Sequence, residues 1–167
     1  MVNDVHVQPL MSAFPVDKLI PHRPPILFLD RVLEVGEEFI VCLVHVAPEM
    51  AFVNDERMES LVAFEFMAQS AAAYAGAKAA GVQQGHTAGY LISVRDLSLA
   101  TGSFSVGDVL VVRAHHLWTD KGFSQFQCRV TREGEPLAEG QIGVYQPADE
   151  SHDDSKYDLV SREAGSQ

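Results

Sequence analysis

Apolar positions along the chain follow two patterns. Ile26 to Val35 (ILFLDRVLEV) and Phe39 to Ala47 (FIVCLVHVA) are short runs rich in Leu, Val and Ile, and Gly36-Glu37-Glu38 breaks them, which predicts a β-hairpin. Upstream, VDKLI has room for one helical turn before Pro21, and Pro24-Pro25 stop any continuation. Ser60 to Ala80 differs: Leu61, Val62, Phe64, Phe66 and Met67, followed by an alanine-rich half, are apolar on every side. A helix hydrophobic all round is a buried one, and its alanines let other backbone come close. Asn54 or Asp55 is expected to cap this helix, with Glu56 and Glu59 near its positive end and Gly81 at its stop. After a glycine-rich loop, Gly89 to Leu99 and Val109 to Thr119 read as strands, parted by turn residues around Gly102 and Gly107-Asp108. In SQFQCRV, Phe126, Cys128 and Val130 alternate with Gln125, Gln127 and Arg129, the period of a half-buried strand. Gly134 turns the chain into a last strand, Leu137 to Tyr145, ahead of Pro147. Two strands, one long buried helix and four strands predict an α+β fold with an antiparallel sheet layered on the helix.

Length and composition narrow this to one domain. The chain has 167 residues, 47% hydrophobic and 21% charged, with mean hydropathy +0.02. These values fit an ordinary globular protein and exclude a disordered or collagen-like one. We expect a flexible N-terminal arm over 1–14, the domain over 15–147, and an acidic, disordered tail over 148–167. The balance of 12 basic against 23 acidic residues, net -11, offers no clustered basic face, so nucleic acid is excluded as a partner. No apolar run reaches the ~18 residues of a membrane helix. The first residues carry no Lys or Arg before Lys18 and no apolar core, so they are not read as a signal peptide. Cys42 and Cys128 lie far apart in apolar segments without a CxxC, as core thiols of a cytoplasmic protein would.

Glu65 is the most informative residue. It stands in VAFEFMAQSAAA between Phe64 and Phe66, with Leu61, Val62, Ala68 and Gln69 one turn away. A carboxyl buried there must be paired or protonated, and desolvation would raise its pKa toward general-acid use. An exposed strip, or pairing with an arginine such as Arg95, is the structural alternative. His22 sits in IPHRPPI among prolines that fix its backbone, where a packing role competes with a chemical one. His115 and His116 are adjacent on a strand, so they face opposite ways and cannot share a metal. No HExxH, Cys/His ligand spacing, GxGxxG, P-loop lysine or GxSxG elbow occurs, which leaves metal, nucleotide and serine-hydrolase chemistry without support.

Taken together, LIPHRPPILFLDRVLEV, EFMAQSAAAYAG and SFSVGDVLVV resemble, in order and spacing, the motifs of the hotdog-fold 3-hydroxyacyl-[acyl carrier protein] dehydratases. The resemblance covers about residues 17 to 147. It implies an antiparallel sheet wrapped around one long helix, a dimer with active sites at the interface, and a tunnel for acyl-phosphopantetheine. In that family a histidine removes the Cα proton, the helix carboxylate protonates the leaving hydroxyl, and N–H groups at the helix start polarise the thioester carbonyl. By motif position Glu65 is the carboxylate, and Ser60 falls where the family has a carbonyl-binding glycine. Ser60, Leu61, Phe64 and Gln69 are the substrate-binding residues so implied. The family's G-H-F-P loop is missing: aligned from Glu65, its histidine falls on Ala51 and its phenylalanine on Phe52. A divergent branch associated with aryl polyene biosynthesis also lacks that loop. It keeps the PH segment, the E-MAQ helix and a terminal YQP, here Pro21-His22, Glu65 to Gln69 and Tyr145-Gln146-Pro147. In this branch His22 is expected to stand in for the missing base.

The resemblance implies no cofactor of the protein's own, since the substrate rides on the phosphopantetheine of an acyl carrier protein. Arg23, Arg57, Lys78, Arg95, Arg129 and Arg132 are candidates for docking that acidic carrier. Expected assemblies are a homodimer or higher oligomer, or a heterodimer with a homologous dehydratase. Two other functions remain open: a catalytically silent subunit that pairs with an active dehydratase, and an acyl thioesterase in which Glu65 activates water.

Overall fold

The structure, a computed structural model of the chain, describes residues 15–79 and 89–147. The expected arm, tail and Gly81 helix stop lie outside the described residues. A short helix α1 (Val16–Leu19) leads through the proline segment into β1 (Arg31–Val35) and β2 (Phe39–His45). A two-residue strand β3 (Val53–Asn54) and β4 (Arg57–Glu59) come next, then a 3₁₀ turn over Ser60–Val62 and the long helix α2 (Ala63–Ala79). The rest is strand: β5 (Tyr90–Leu99), β6 (Ser103–Ser105), β7 (Val109–Asp120), β8 (Phe123–Arg132) and β9 (Glu135–Tyr145).

Six strands make one antiparallel sheet in the order β1-β2-β7-β8-β9-β5. Alternation puts Ile40, Cys42 and Val44 of β2, Leu110, Val112 and Ala114 of β7, and Phe126, Cys128 and Val130 of β8 on one buried face. Register lines them up in rows: Cys42 opposes Val112, and Ala114 opposes Cys128. α2 lies on that face. Its 17 residues include no proline and no β-branched residue, so local propensity and packing agree. Phe66 is fully buried between Phe28 (5.4 Å between centroids) and Phe104 (5.8 Å). Each such ring contributes roughly 1.5–3 kcal/mol on burial. The sheet wrapped on one helix is the hotdog fold that the motifs imply.

Two local expectations are corrected. Asn54 and Asp55 do not cap the helix; they belong to the β3–β4 hairpin. Asp55 (φ 47°) and Glu56 (φ 59°) are both left-handed, as a two-residue turn joining right-twisted strands requires. β3, β4 and β6 then form a separate three-stranded sheet that the sequence pattern did not disclose. Pairs of strands two or three residues long leave no readable period. The helix begins instead behind Glu59, in the 3₁₀ turn. The second correction concerns β1, which starts at Arg31 rather than Ile26. The amides of Ile26 and Leu27 both turn back to the Arg23 carbonyl, and Phe28 bonds to a helix side chain rather than a strand.

One face of α2 positions the site. Gln69 and Gly76 lie 4 and 11 residues beyond Glu65, nearly in line with it on a helix of 3.6 residues per turn. This line runs beneath the segment from α1 to Phe28. At Gly76 the Leu19 carbonyl approaches so closely that a Cβ would collide with it. Only glycine lets α1 sit there, and α1 carries Pro21 and His22 directly behind it.

Candidate active site

His22 and Glu65, 43 positions apart in sequence, meet: His22 Nε2 lies 3.6 Å from Glu65 Oε1. Both side chains are 28% exposed, so Glu65 is half-buried rather than sealed in the core as its neighbours in sequence implied. The reason is geometric. Phe66 and Met67 turn into the core, whereas Glu65 faces the proline segment, whose backbone leaves an open groove lined by Pro21, His22, Arg23, Pro24, Pro25 and Ile26. The alternative partner considered for Glu65, Arg95, makes no ion pair among the described residues.

Gln69 ties the two elements together. It is fully buried, and its amide is spent on protein. Nε2 donates to the Ile26 carbonyl (2.7 Å) and to Glu65 Oε1 (3.0 Å), while its oxygen accepts the Phe28 amide (3.0 Å). Such an arrangement has one orientation, because a flipped amide would face acceptors with an acceptor. Arg23 stiffens the same loop from outside. Its guanidinium donates to the carbonyls of Ile20 (3.0 Å), His22 (2.6 Å) and Asp17 (3.1 Å).

The remaining expected residues divide. Ser60 is buried and turned away: its hydroxyl donates to the Thr101 carbonyl (2.6 Å) and its amide to the Gly102 carbonyl (3.1 Å). Leu61 is 55% exposed and Phe64 half-buried at the start of α2. Two apolar side chains beside the groove were not singled out as site residues. Ile26 is exposed, and Phe52 is 66% exposed while its ring stacks on Phe28 at 6.2 Å. Phe52 also has a left-handed backbone (φ 66°), rare for an aromatic residue, and the Ala51 amide beside it bonds the Pro25 carbonyl (2.9 Å). A lone aromatic in the loop stretch MAFVND was the available signal.

Of the six cations expected near a carrier protein, four are engaged. Arg23 holds its loop, Arg129 pairs with Glu139 (2.6 Å), Arg132 pairs with Asp108 (2.9 Å), and Lys78 lies over the Tyr74 ring (5.4 Å). Arg57 and Arg95 have no ion-pair partner among the described residues. His115 and His116 do diverge; His116 packs on Tyr74 beside Phe126. Among the described residues, no group of three or more His, Cys, Asp or Glu side chains is placed to hold a metal ion, and no helix is long and apolar enough to cross a membrane.

A family model described as ApeP-like, ApeP dehydratase, matches residues 14–154. Among solved structures, a chain of the dehydratase heterocomplex ApeI:P from Xenorhabdus doucetiae superposes with a TM-score of 0.77 at 25% identity, covering 89% of this chain and 99% of that one. An uncharacterised protein from Pyrococcus horikoshii matches at TM-score 0.57 and 18% identity, over 80% of this chain and 94% of that one. A hypothetical thioesterase with coenzyme A from Streptococcus pneumoniae matches at TM-score 0.52 and 10% identity, over 70% and 87%. The last two share the fold alone.

Proposed function

This chain belongs to the ApeP-like dehydratase family, and on that premise we propose that it removes water from a 3-hydroxyacyl thioester carried on the phosphopantetheine of an acyl carrier protein, giving the trans-2-enoyl thioester. One observation carries the reading: the PH segment and the E-MAQ helix, far apart in sequence, put His22 Nε2 3.6 Å from Glu65 Oε1 beside an open groove. A carboxylate held beside an imidazole, at the edge of an apolar wall, suits proton removal next to a thioester and protonation of a leaving hydroxyl.

The rest of the site follows the same chemistry. The acyl chain passes Ile26, Phe52, Leu61 and Phe64. Ser60 has spent both its hydroxyl and its amide on residues 101–102, so the thioester carbonyl is received by the next N–H groups of the helix start, where the dipole favours developing negative charge. Arg57, three residues before Ser60, is the uncommitted cation best placed in sequence to receive an acidic carrier. Raising salt should weaken that docking.

A second reading concerns assembly. β5 ends the six-stranded sheet and exposes Tyr90, Ile92 and Val94, an apolar edge suited to a second hotdog subunit. The ApeI:P structure is a heterocomplex. This supports a homologous dehydratase as partner, and it leaves room for a chain that shapes the partner's tunnel instead of turning over substrate itself. The test is to incubate the protein with a 3-hydroxyacyl-carrier substrate, alone and with a homologous subunit, and read the product mass. Loss of one water by the chain alone, abolished by Glu65→Gln, supports the dehydratase. Turnover only with the second subunit, unaffected by Glu65→Gln, makes this chain the silent partner. Release of free thiol would make it a thioesterase.

A further inference from the structure

We infer that Glu65 alone moves the proton, through Oε2, while His22 and Gln69 are positioning residues that hold Oε1. This rests on the dehydratase reading above and departs from the base role expected for His22. Three observations carry it.

The first is spacing. An acid and a base that flank a substrate each need a contact of about 2.6–3.2 Å to it, with the reacting carbon and hydroxyl between them. A separation of 3.6 Å admits no atom in between. His22 and Glu65 therefore stand on the same side of any bound acyl chain.

The second is the state of the imidazole. Among the described residues His22 Nδ1 is buried with no hydrogen-bond partner, while Nε2 faces the carboxylate. With the proton on Nε2, a donor faces Oε1 and only an acceptor is left unpaired. With the proton on Nδ1, an N–H is buried unpaired and two acceptors confront each other, at a cost of about 1–3 kcal/mol for the orphaned group. The first tautomer wins. It leaves His22 no lone pair toward substrate: Nε2 carries the proton, and Nδ1 is walled in.

The third is the division of the carboxylate. Oε1 accepts from Gln69 Nε2 at 3.0 Å and faces His22 Nε2. Oε2 has no hydrogen-bond partner among the described residues, on a side chain that is 28% exposed. His22 is also the one basic side chain within 4.0 Å of this carboxylate among the described residues, the Arg23 guanidinium being turned to backbone carbonyls.

Oε2 takes the Cα proton, and the C–H electron pair passes to the thioester carbonyl oxygen as an enolate. The pair returns to form the Cα=Cβ bond as the Cβ–O bond breaks. The departing hydroxyl takes the same proton from Oε2 and leaves as water, restoring the carboxylate. The balance is 3-hydroxyacyl thioester to 2-enoyl thioester plus water. Since one oxygen serves both atoms, proton and hydroxyl leave from the same face.

The test uses the full chain in whichever form turns over, alone or with a homologous subunit, with a 3-hydroxyacyl thioester on carrier protein. Glu65→Gln should lower kcat by about a thousandfold. His22→Gln, which keeps a donor, should stay within about tenfold of wild type and retain the acid limb of the kcat/KM–pH profile. Gln69→Met should lower kcat more than it changes KM, because a donor that orients the carboxylate is gone. Thermal midpoints identify variants that fail to fold; should Gln69→Met be one, the His22 and Glu65 pair decides. His22→Gln as inactive as Glu65→Gln at an unchanged midpoint, or a limb that disappears with His22, would overturn the inference and leave dehydration standing. Absence of water loss by wild type, or water loss unaffected by Glu65→Gln, removes the reading underneath and the inference with it.

Discussion

The two sides of α2 obey different rules. Toward the core, Phe66, Met67, Ala71 and Ala73 join Cys42, Val112 and Cys128 in one dry cluster where volume is what counts. Toward the 16–28 segment, Glu65, Gln69 and Gly76 each make contacts of a different kind: an imidazole at 3.6 Å, an amide bonded to backbone on both ends, and bare backbone against the Leu19 carbonyl. Any well-fitting apolar set serves the first side. The second requires particular atoms at particular places, so the helix packs by volume on one face and by specific contacts on the other.

The largest test falls on the dry side. Phe66→Ala removes a ring held between Phe28 and Phe104 and should cost about 3–5 kcal/mol, read from urea midpoints. If dehydration per folded molecule falls as steeply as stability, the separation of faces is wrong. Gly76→Ala strikes the other side. The new Cβ meets backbone that cannot rotate away, so about 3 kcal/mol should be lost. As α1 is displaced it drags His22 with it, so turnover by the folded protein should drop too. An unchanged rate would show that α1 does not position the loop.

The two thiols report how dry the sheet side is. Burial pushes Cys42 and Cys128 up to about 12 from an ordinary 9.0. The folded state thus keeps the protonated thiols, and the unfolded chain releases its protons first as pH rises. Their contribution is complete below about pH 9 and is lost progressively toward about pH 12, on the order of 1 kcal/mol per thiol by pH 10. A Cys42→Ala, Cys128→Ala double variant should show a shallower alkaline loss of stability than wild type. Parallel curves would mean that water reaches the thiols. The smallest effect is expected where neither face is involved. Arg129→Ala breaks an exposed pair with Glu139 and should change stability by about 0.5 kcal/mol or less.

Legibility followed the same division. The sheet was readable strand by strand because residues such as Phe126, Cys128 and Val130 alternate with polar neighbours, and one buried face imposes that period. The buried helix was readable because it is apolar all round. The β3–β4–β6 sheet was not, since strands of two or three residues carry no period and the left-handed Asp55 and Glu56 look like helix caps. Glu65 stood out as a carboxylate among apolar residues, but the same neighbours made it look more buried than it is. Gln69 looked like a group for substrate; only the structure shows it fully buried, with its N–H groups and its oxygen bonded within the protein.

By itself, then, the order of apolar and polar residues determined the strands of the large sheet and the buried helix. Those are consequences of local periodicity and of what water excludes. Tertiary structure alone decided that His22 reaches Glu65, that Gln69 faces inward and that Gly76 admits α1. Each of these contacts joins residues tens of positions apart, where a few tenths of an ångström at a backbone carbonyl or an amide oxygen settle which atoms meet.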